Sequence, residues 1–179
     1  MGVADYRELR GQRFDAIASV GMYEHVGRSQ LATYVRAVSD LLKPGGAFLN
    51  HGITRLTDGP ESRQTFINRF VFPDGELHPV DAVLGVMHAA GLEIRDVESL
   101  RDHYTLTLRH WLTNLESGYE DAVREIGEER ARVWRLYLAG SAAAFASGAI
   151  SVFQTLALKG GGQPRLPLNR AHGGLVARG

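Results

Sequence analysis

Residues 14–27 read FDAIASVGMYEHVG, and residues 41–53 read LLKPGGAFLNHGI. The first apolar run, Phe14–Val20, is short and ends at Gly21, which is typical of a strand buried on both faces. In the second stretch Pro44-Gly45-Gly46 is expected to end a helix and to lead into a strand at Ala47–Asn50, which reaches Thr54. The two stretches therefore predict a β-α-β unit.

One ionisable residue follows each predicted strand at its carboxyl end. Glu24 lies in the loop after the first strand, and His51 ends the second. In open parallel α/β sheets this edge is where ligands bind, so Glu24 and His51 are candidate functional residues. From the residues alone, Glu24 also fits a solvated loop end, and His51 fits a histidine satisfied by its neighbours. His25 is read as structural, as a cap for the following helix.

The rest of the chain continues the α/β pattern. An amphipathic helix begins at Ser29, and residues 55–79 read as an irregular insert of the kind that forms lids or binding segments. Trp111 and Trp134 lie on apolar stripes and are predicted to be core residues. The remaining predicted elements are helices at Pro79–Ala90, Tyr104–Ile126 and Glu128–Ala146, strands at Leu92–Leu100 and Ile150–Leu158, and a flexible tail at 160–179.

Composition narrows the class of protein. The 179 residues suffice for one domain, and 20 basic residues balance 20 acidic ones, so no global field favours nucleic acid. There are no cysteines, no signal peptide and no apolar run long enough to span a membrane. The histidines show no shared metal-ligand spacing, so no metal site is predicted. A cytoplasmic protein is expected.

Five blocks of sequence carry a family resemblance. They are GMYEHVG, LLKPGGAFLNHGI, FINRFVFPDGELHPV, HYTLTLRHWLTNLE and the segment from SAAAF to ISVFQ. In this order and spacing they resemble the cyclopropane-fatty-acyl-phospholipid synthase family, which includes the mycolic acid cyclopropane synthases and related fatty-acid methyltransferases. The resemblance covers about Asp5 to Lys159.

This resemblance implies a fold and a reaction. The fold would be the C-terminal part of a class I S-adenosylmethionine-dependent methyltransferase, Rossmann-like, with a helical insertion that lines an acyl pocket. The enzyme would transfer a methyl group to the cis double bond of an unsaturated phospholipid acyl chain. The resulting carbocation would lose a proton to bound bicarbonate and give a cyclopropane or methyl-branched product. The insert 63–78 and the helix after Tyr104 would line the pocket.

The resemblance also assigns site residues. Glu24, His51 and Tyr104 would be catalytic, and together with the backbone of Ile53 they would hold the bicarbonate. The remaining assignments concern the cofactor and one family position: Asp5 and Tyr6 would touch S-adenosylmethionine, and Ser141 occupies the position of a cysteine in many family members. A histidine and a phenol can donate hydrogen bonds to bicarbonate, and a carboxylate can orient the histidine or accept a proton.

The family's glycine-rich cofactor turn is not found before Phe14. Residues 1–159 are therefore interpreted as a partial methyltransferase domain that lacks the N-terminal strand-turn-helix. Two alternatives stay open: a non-catalytic fragment or pseudoenzyme that binds lipid or a partner subunit, and a class I methyltransferase acting on another small molecule. Expected partners are phospholipid acyl chains at the inner membrane surface, and either a second copy of the chain or a complementing N-terminal segment that covers the free edge of the first strand.

Overall fold

The computed structural model describes residues 5–9, 11–56 and 65–162. Within them a five-stranded sheet is covered by helices on both faces. The strands are β1 Phe14–Val20, β2 Leu42–Arg55, β3 His78–Pro79, β4 Leu92–Ser99 and β5 Ile150–Lys159. The helices are α1 Leu31–Leu41, α2 Phe66–Phe70, α3 Val80–Ala89, α4 Arg101–Ser117, α5 Tyr119–Ile126 and α6 Glu128–Ser147, with 3-10 turns at Tyr6–Glu8, Tyr23–His25 and Arg28–Gln30.

The sheet has the strand order β1-β2-β5-β4. β1 runs parallel to β2, which confirms the predicted β-α-β unit, whereas β5 runs antiparallel to both β2 and β4. The short β3 runs parallel to β2 and pairs with its end, at Thr54 and Arg55. The sheet is therefore mixed, and the carboxyl ends of β1 and β2 lie at the same edge, as expected.

The prediction for Pro44-Gly45-Gly46 was wrong in one respect. α1 already ends at Leu41, and β2 begins at Leu42, so the three residues lie inside the strand. They form an irregularity in the ladder, because Phe14 pairs with Leu42 but Ala16 pairs with Ala47. Gly45 has φ 75°, a conformation that glycine adopts without steric cost and that suits a bulge.

The core consists of two layers separated by the sheet. Successive residues of β2 point to opposite faces, so Phe48 packs with α1 and α3, whereas His51 and Ile53 face α4 and α6. The buried residues on the first face are Tyr23, Leu31, Tyr34, Val35, Val38, Leu42, Phe48, Val83, Met87, Leu92 and Ala157. Those on the second face are Leu108, Leu138, Ala142, Phe145 and Val152.

The helical region after β4 differs from the prediction in two details. The helix expected at Tyr104–Ile126 begins earlier, at Arg101, and is interrupted at Gly118. Trp111 and Trp134 are not core residues, since 51% and 38% of their surfaces are exposed. Both helices pack through other side chains, namely Leu108 and Leu138, which leaves the tryptophans at the margin of the contact.

β1 is an edge strand whose one neighbour among the described strands is β2. Val20 at its end is 67% exposed. The middle of the predicted insert, 57–64, and most of the predicted tail, 163–179, lie outside the described residues. In the described part of the chain, each helix is too short or too polar to cross a bilayer.

Candidate active site

The candidate site is built around a gap in the sheet. β1 pairs with β2 as far as His51, and β3 resumes pairing at Thr54, so the backbone of Ile53 has no strand partner on that side. Two side chains from the turn after β1 replace it. Glu24 Oε1 accepts the Ile53 N–H at 2.7 Å, and the Tyr23 hydroxyl donates to the Ile53 carbonyl at 3.0 Å. These bonds satisfy polar groups that would otherwise be buried without partners.

Gly52 makes this arrangement possible. A Cβ at this position would lie 2.2 Å from Tyr23 Cε1 and 2.9 Å from both carboxylate oxygens of Glu24. Tyr23 and Glu24 therefore occupy the volume of a missing side chain, and both are buried, with 1% and 6% of their surfaces exposed. The glycine is required by this close approach.

On the other face of β2, His51 uses both ring nitrogens. Its Nε2 lies 2.8 Å from the Tyr104 hydroxyl on α4, and its Nδ1 lies 3.0 Å from Gln154 Nε2 on β5. Gln154 is directly opposite His51 in the β2–β5 register, which explains the contact. Tyr104 in turn stacks on Phe145 of α6 at 5.5 Å.

The charge of Glu24 affects the pKa of both Tyr104 and His51. Burial raises the pKa of the Tyr104 hydroxyl and lowers the pKa of His51, and in both cases the Glu24 carboxylate contributes an upward shift. At neutral pH His51 is therefore neutral and Tyr104 keeps its proton. Glu24 Oε2 is buried and has no hydrogen-bond partner among the residues that the structure describes. A buried acceptor without a donor indicates a place for a ligand.

Glu24 and Tyr104 lie in the wall of a cavity of about 370 Å³, here called the apolar cavity. Most of its other lining side chains are hydrophobic and come from the insert, α4 and α6. The lining residues are Gly21, Glu24, His25, Ile53, Thr65, Ile67, Asn68, Phe72, Gly75, Leu77, Tyr104, Leu108, Trp111, Tyr137, Ser141, Phe145 and Ile150. A volume of this size accommodates part of a small-molecule ligand.

A second cavity of about 410 Å³, here called the polar cavity, adjoins the first. It is lined by Asp5, Tyr6, Arg7, Met22, His25, Val26 and Gln30, so His25 contributes to both cavities. Hydrogen bonds from Arg7 hold the pKa of the Asp5 carboxyl at about 2, well below its usual range. Tyr6 packs edge-on against Tyr34 at 5.5 Å.

The structure brings most of the predicted site residues together. Glu24, Ile53, Tyr104 and Ser141 share the apolar cavity, although the Ile53 N–H already binds Glu24. His51 contacts the Tyr104 hydroxyl but is not one of the described residues that line the cavity.

The residues predicted to touch the cofactor and those of the insert lie in different cavities. Asp5 and Tyr6 lie in the polar cavity. Ile67 and Phe72 of the insert line the apolar cavity. Phe66 and Phe70 instead line an open groove of about 840 Å³ against α6, here called the outer groove.

Three contributors were missed by sequence reasoning. Tyr23, Gln154 and Tyr137 take part in the site through tertiary contacts that no local pattern reveals. His25, expected to cap a helix, contacts Phe72 edge-on at 5.5 Å. A closer reading of Gly52 could have indicated Tyr23, because a glycine inside an apolar strand often marks the close approach of another group. No metal-binding cluster exists among the described residues.

Comparison with solved structures defines the class. The mycolic acid cyclopropane synthase CmaA1 complexed with SAH and CTAB superposes with a TM-score of 0.80 at 29% identity, over 87% of this chain and 59% of that one. A putative sarcosine dimethylglycine methyltransferase from Galdieria sulphuraria, 16% identical, has the same fold with a TM-score of 0.74. The fold is therefore the Rossmann-like fold of S-adenosylmethionine-dependent methyltransferases.

Comparison of sequences defines the family. The profile described as "Mycolic acid cyclopropane synthetase" matches residues 1–155, so the chain belongs to this family. It is 47% identical to a "Probable fatty acid methyltransferase" of Pseudomonas putida, over 88% of this chain and 41% of that protein. It is 32% identical to the cyclopropane-fatty-acyl-phospholipid synthase of Escherichia coli K12, over 87% of this chain and 40% of that protein. The chain thus spans about two fifths of the length of these relatives.

Proposed function

We propose that this chain carries the acyl-binding and charge-stabilising part of an S-adenosylmethionine-dependent lipid methyltransferase. The reaction is methyl transfer to the cis double bond of an unsaturated phospholipid acyl chain, which gives a cyclopropane or methyl-branched product. One observation carries the proposal: a mainly hydrophobic cavity is lined by Tyr104 and by Glu24, whose buried Oε2 has no hydrogen-bond partner among the described residues. The names of the relatives, fatty acid methyltransferase and cyclopropane synthase, support it.

The apolar cavity suits a hydrocarbon chain. Leu108 and Trp111 of α4, Phe145 of α6 and Ile67 of the insert give it hydrophobic walls. Burying a methylene group there is worth about 0.8 kcal/mol. A chain extending past the half-exposed Trp111 would continue toward the solvent or a membrane surface. The related CmaA1 structure contains CTAB, a detergent.

The polar cavity fits one part of the cofactor. Tyr6, Met22 and Val26 offer a surface for an adenine ring, and Gln30 can hydrogen-bond to it. Asp5 also lines this cavity, and its carboxylate accepts hydrogen bonds from the Arg7 side chain. When bound, S-adenosylmethionine supplies an electrophilic methyl group. Because His25 borders both cavities, a cofactor in one and an acyl chain in the other would be neighbours.

Glu24 stabilises positive charge on the acyl chain. Its carboxylate is buried and accepts a hydrogen bond from the Ile53 N–H. A fixed negative charge in a water-poor cavity stabilises a nearby carbocation far more than it would in water. Because a buried carboxylate fixed by a backbone bond cannot swing freely, its charge does not have to reorganise during the reaction.

The donors and acceptors present also fit bicarbonate. Its hydroxyl can donate to the Glu24 carboxylate, and the Tyr104 hydroxyl can donate to one of its oxygens. When bound, bicarbonate supplies a weak base beside the reacting carbon. Ile53 borders this position but its N–H is used by Glu24, so Glu24 and Tyr104 are the residues expected to hold the anion, with His51 behind Tyr104.

One observation favours the non-catalytic alternative. The Asp5 carboxylate accepts hydrogen bonds from the Arg7 side chain at 2.9 and 2.6 Å, so a cofactor would have to displace or share these contacts. Calorimetric titration with S-adenosylmethionine separates the two functions. Saturable binding by this chain supports the enzyme, whereas lipid binding without any cofactor binding supports the lipid-binding fragment.

The decisive assay follows the lipid product. The chain is incubated with vesicles of cis-monounsaturated phospholipid and S-adenosylmethionine labelled in the methyl group, and the acyl chains are analysed by mass spectrometry. We expect labelled cyclopropane or methyl-branched chains, and a loss of about 100-fold for Tyr104→Phe. Tyr119→Phe is the matched control, because Tyr119 lines neither cavity. The proposal is contradicted if neither the wild type nor the control transfers label to the lipid. It is also contradicted if label is transferred only to another small molecule.

The free edge of β1 is proposed to pair with a further strand, from a second copy or from a complementing segment. Its side chains are largely exposed, and open strand edges favour association. Light scattering of the isolated chain is expected to show dimers or larger species, and Ala18→Lys on this edge is expected to reduce them. Monomers at all concentrations for the wild-type chain would contradict pairing between copies.

A further inference from the structure

Gln154 occupies a special place beside His51. It lies on β5 directly opposite His51, and its side-chain nitrogen is 3.0 Å from His51 Nδ1. The other ring nitrogen, Nε2, lies 2.8 Å from the Tyr104 hydroxyl. Both nitrogens of the imidazole are therefore used by the protein itself, and the ring is clamped between β5 and α4.

The chemistry of these groups fixes the position of the proton. An amide nitrogen donates hydrogen bonds and cannot accept them, so His51 Nδ1 must be the acceptor. A neutral imidazole then carries its hydrogen on Nε2 and donates it to the Tyr104 oxygen. The Tyr104 oxygen accepts from His51, which leaves the phenolic hydrogen free to point elsewhere. Tyr104 and Glu24 both line the apolar cavity, and in the described part of the chain the buried Glu24 Oε2 has no hydrogen-bond partner.

We propose that Gln154 is a positioning residue that selects the Nε2–H tautomer of His51 and thereby makes the Tyr104 hydroxyl the hydrogen-bond donor of the apolar cavity. The role of that donor rests on the proposed function, since the donor would serve a bound anion. Two charged groups of the described chain lie near this triad: Glu24, whose charge acts on His51, and Glu98, which is opposite Gln154 in the β4–β5 register.

Nitrogen NMR of the chain labelled with ¹⁵N-histidine tests the proposal without lipid or cofactor. The two ring nitrogens of a neutral histidine have separate resonances, and the unprotonated one is identified by its shift. His51 is assigned by the signal that disappears in His51→Gln. At pH 8 we expect Nδ1 to be unprotonated and Nε2 to carry the hydrogen.

Two substitutions at Gln154 sharpen the test. Gln154→Glu replaces the donor with an acceptor, so Nδ1 is expected to become protonated and the pKa of His51 to rise by about 1 or more. Gln154→Leu removes the partner, so a mixture of tautomers is expected. Ser99→Ala is the control, because Ser99 bonds to Ser151 within the same strand pair and does not contact His51.

The outcomes are distinct. The proposal is overturned if wild-type His51 carries its hydrogen on Nδ1, a result that needs no variant to fold. It is also overturned if Gln154→Glu folds and leaves the Nε2–H tautomer and the pKa of His51 unchanged. The expected tautomers together with an absence of lipid methylation would instead contradict only the proposed function.

Discussion

The two cavities that meet at His25 are built in different ways. The apolar cavity is enclosed by the sheet, α4, α6 and the insert, and its polar residues are fixed by long-range hydrogen bonds such as Glu24 to Ile53. The polar cavity is formed by 3-10 turns and the start of the chain, and its carboxylate is paired with Arg7 two residues away. Under the proposed function, the apolar cavity is preorganised for the acyl chain, and the polar cavity supplies one edge of a cofactor site.

The largest expected effect concerns Gly52, on which the polar end of the apolar cavity depends. In Gly52→Ala the new Cβ would collide with Tyr23 and Glu24, so both side chains must leave the backbone of Ile53. We expect a loss of about 3 kcal/mol or more in the free energy of unfolding, measured by urea denaturation. Gly85→Ala in α3 is the control, because its Cβ meets nothing within 4 Å, and it is expected to stabilise the protein by about 0.5–1 kcal/mol. Equal stabilities for the two variants would contradict this account of the site.

Two substitutions at Glu24 separate its contribution to stability from the contribution of its charge to methyl transfer. Glu24→Ala leaves the Ile53 N–H without a partner and is expected to cost about 2 kcal/mol of stability. Glu24→Gln keeps an acceptor for this N–H, so its cost is expected to stay below about 1 kcal/mol, while methyl transfer is lost with the charge. Glu93→Gln, on the exposed part of β4, serves as the control for both measurements. Full activity in a stably folded Glu24→Gln variant would show that the charge is not needed.

Trp111 tests the apolar wall. It is half exposed and borders the cavity, so Trp111→Ala is expected to change stability little but to weaken binding of a long-chain acyl ligand about tenfold, or about 1.4 kcal/mol. Fluorescence or calorimetric titration measures this affinity. Trp134→Ala is the matched control, because Trp134 contacts Tyr137 but does not line the apolar cavity. Similar losses for both tryptophans would place the acyl chain elsewhere.

The smallest expected effect concerns the pH dependence of folding stability. Burial lowers the pKa of His51 from its ordinary value of 6.5, so the unfolded chain binds a proton there more readily than the folded one. The stability that this shift contributes is complete above about pH 6.5 and is lost as the pH falls through the lower folded-state pKa. The difference in melting temperature between pH 8 and pH 5 should therefore be smaller in His51→Gln than in wild type. Equal differences in wild type and in His51→Gln would contradict this role of His51.

The sequence predicted the elements of the fold better than their ends. Apolar runs and glycines located β1, α3, β4, α6 and β5, because a continuous apolar run or an amphipathic stripe is a strong pattern. The prediction that β1 is buried on both faces was wrong, since most of its side chains are exposed at the edge of the sheet. The start of β2 was missed because Pro44-Gly45-Gly46 usually ends an element, and only the pairing with β1 shows it as a bulge. Trp111 was misplaced because a stripe predicts a face but not how far the partner helix extends along it.

The candidate site could be predicted in part for a similar reason. Glu24 and His51 follow strands whose carboxyl ends share an edge, so topology alone brings them near each other. Tyr104 came only from the family resemblance, and its bond to His51 depends on how α4 crosses the sheet. Gln154 could not be found without the antiparallel register of β5, since 103 residues separate it from His51.

The central claim is that an acyl chain enters the apolar cavity and ends near Glu24 and Tyr104. A cis-monounsaturated fatty acyl ligand with a nitroxide label near its double bond tests this directly, by broadening amide NMR signals of nearby residues. The account predicts broadening at Leu108, Ser141 and Ile150, which line this cavity. Broadening confined to Phe70 and Leu136 of the outer groove would contradict it.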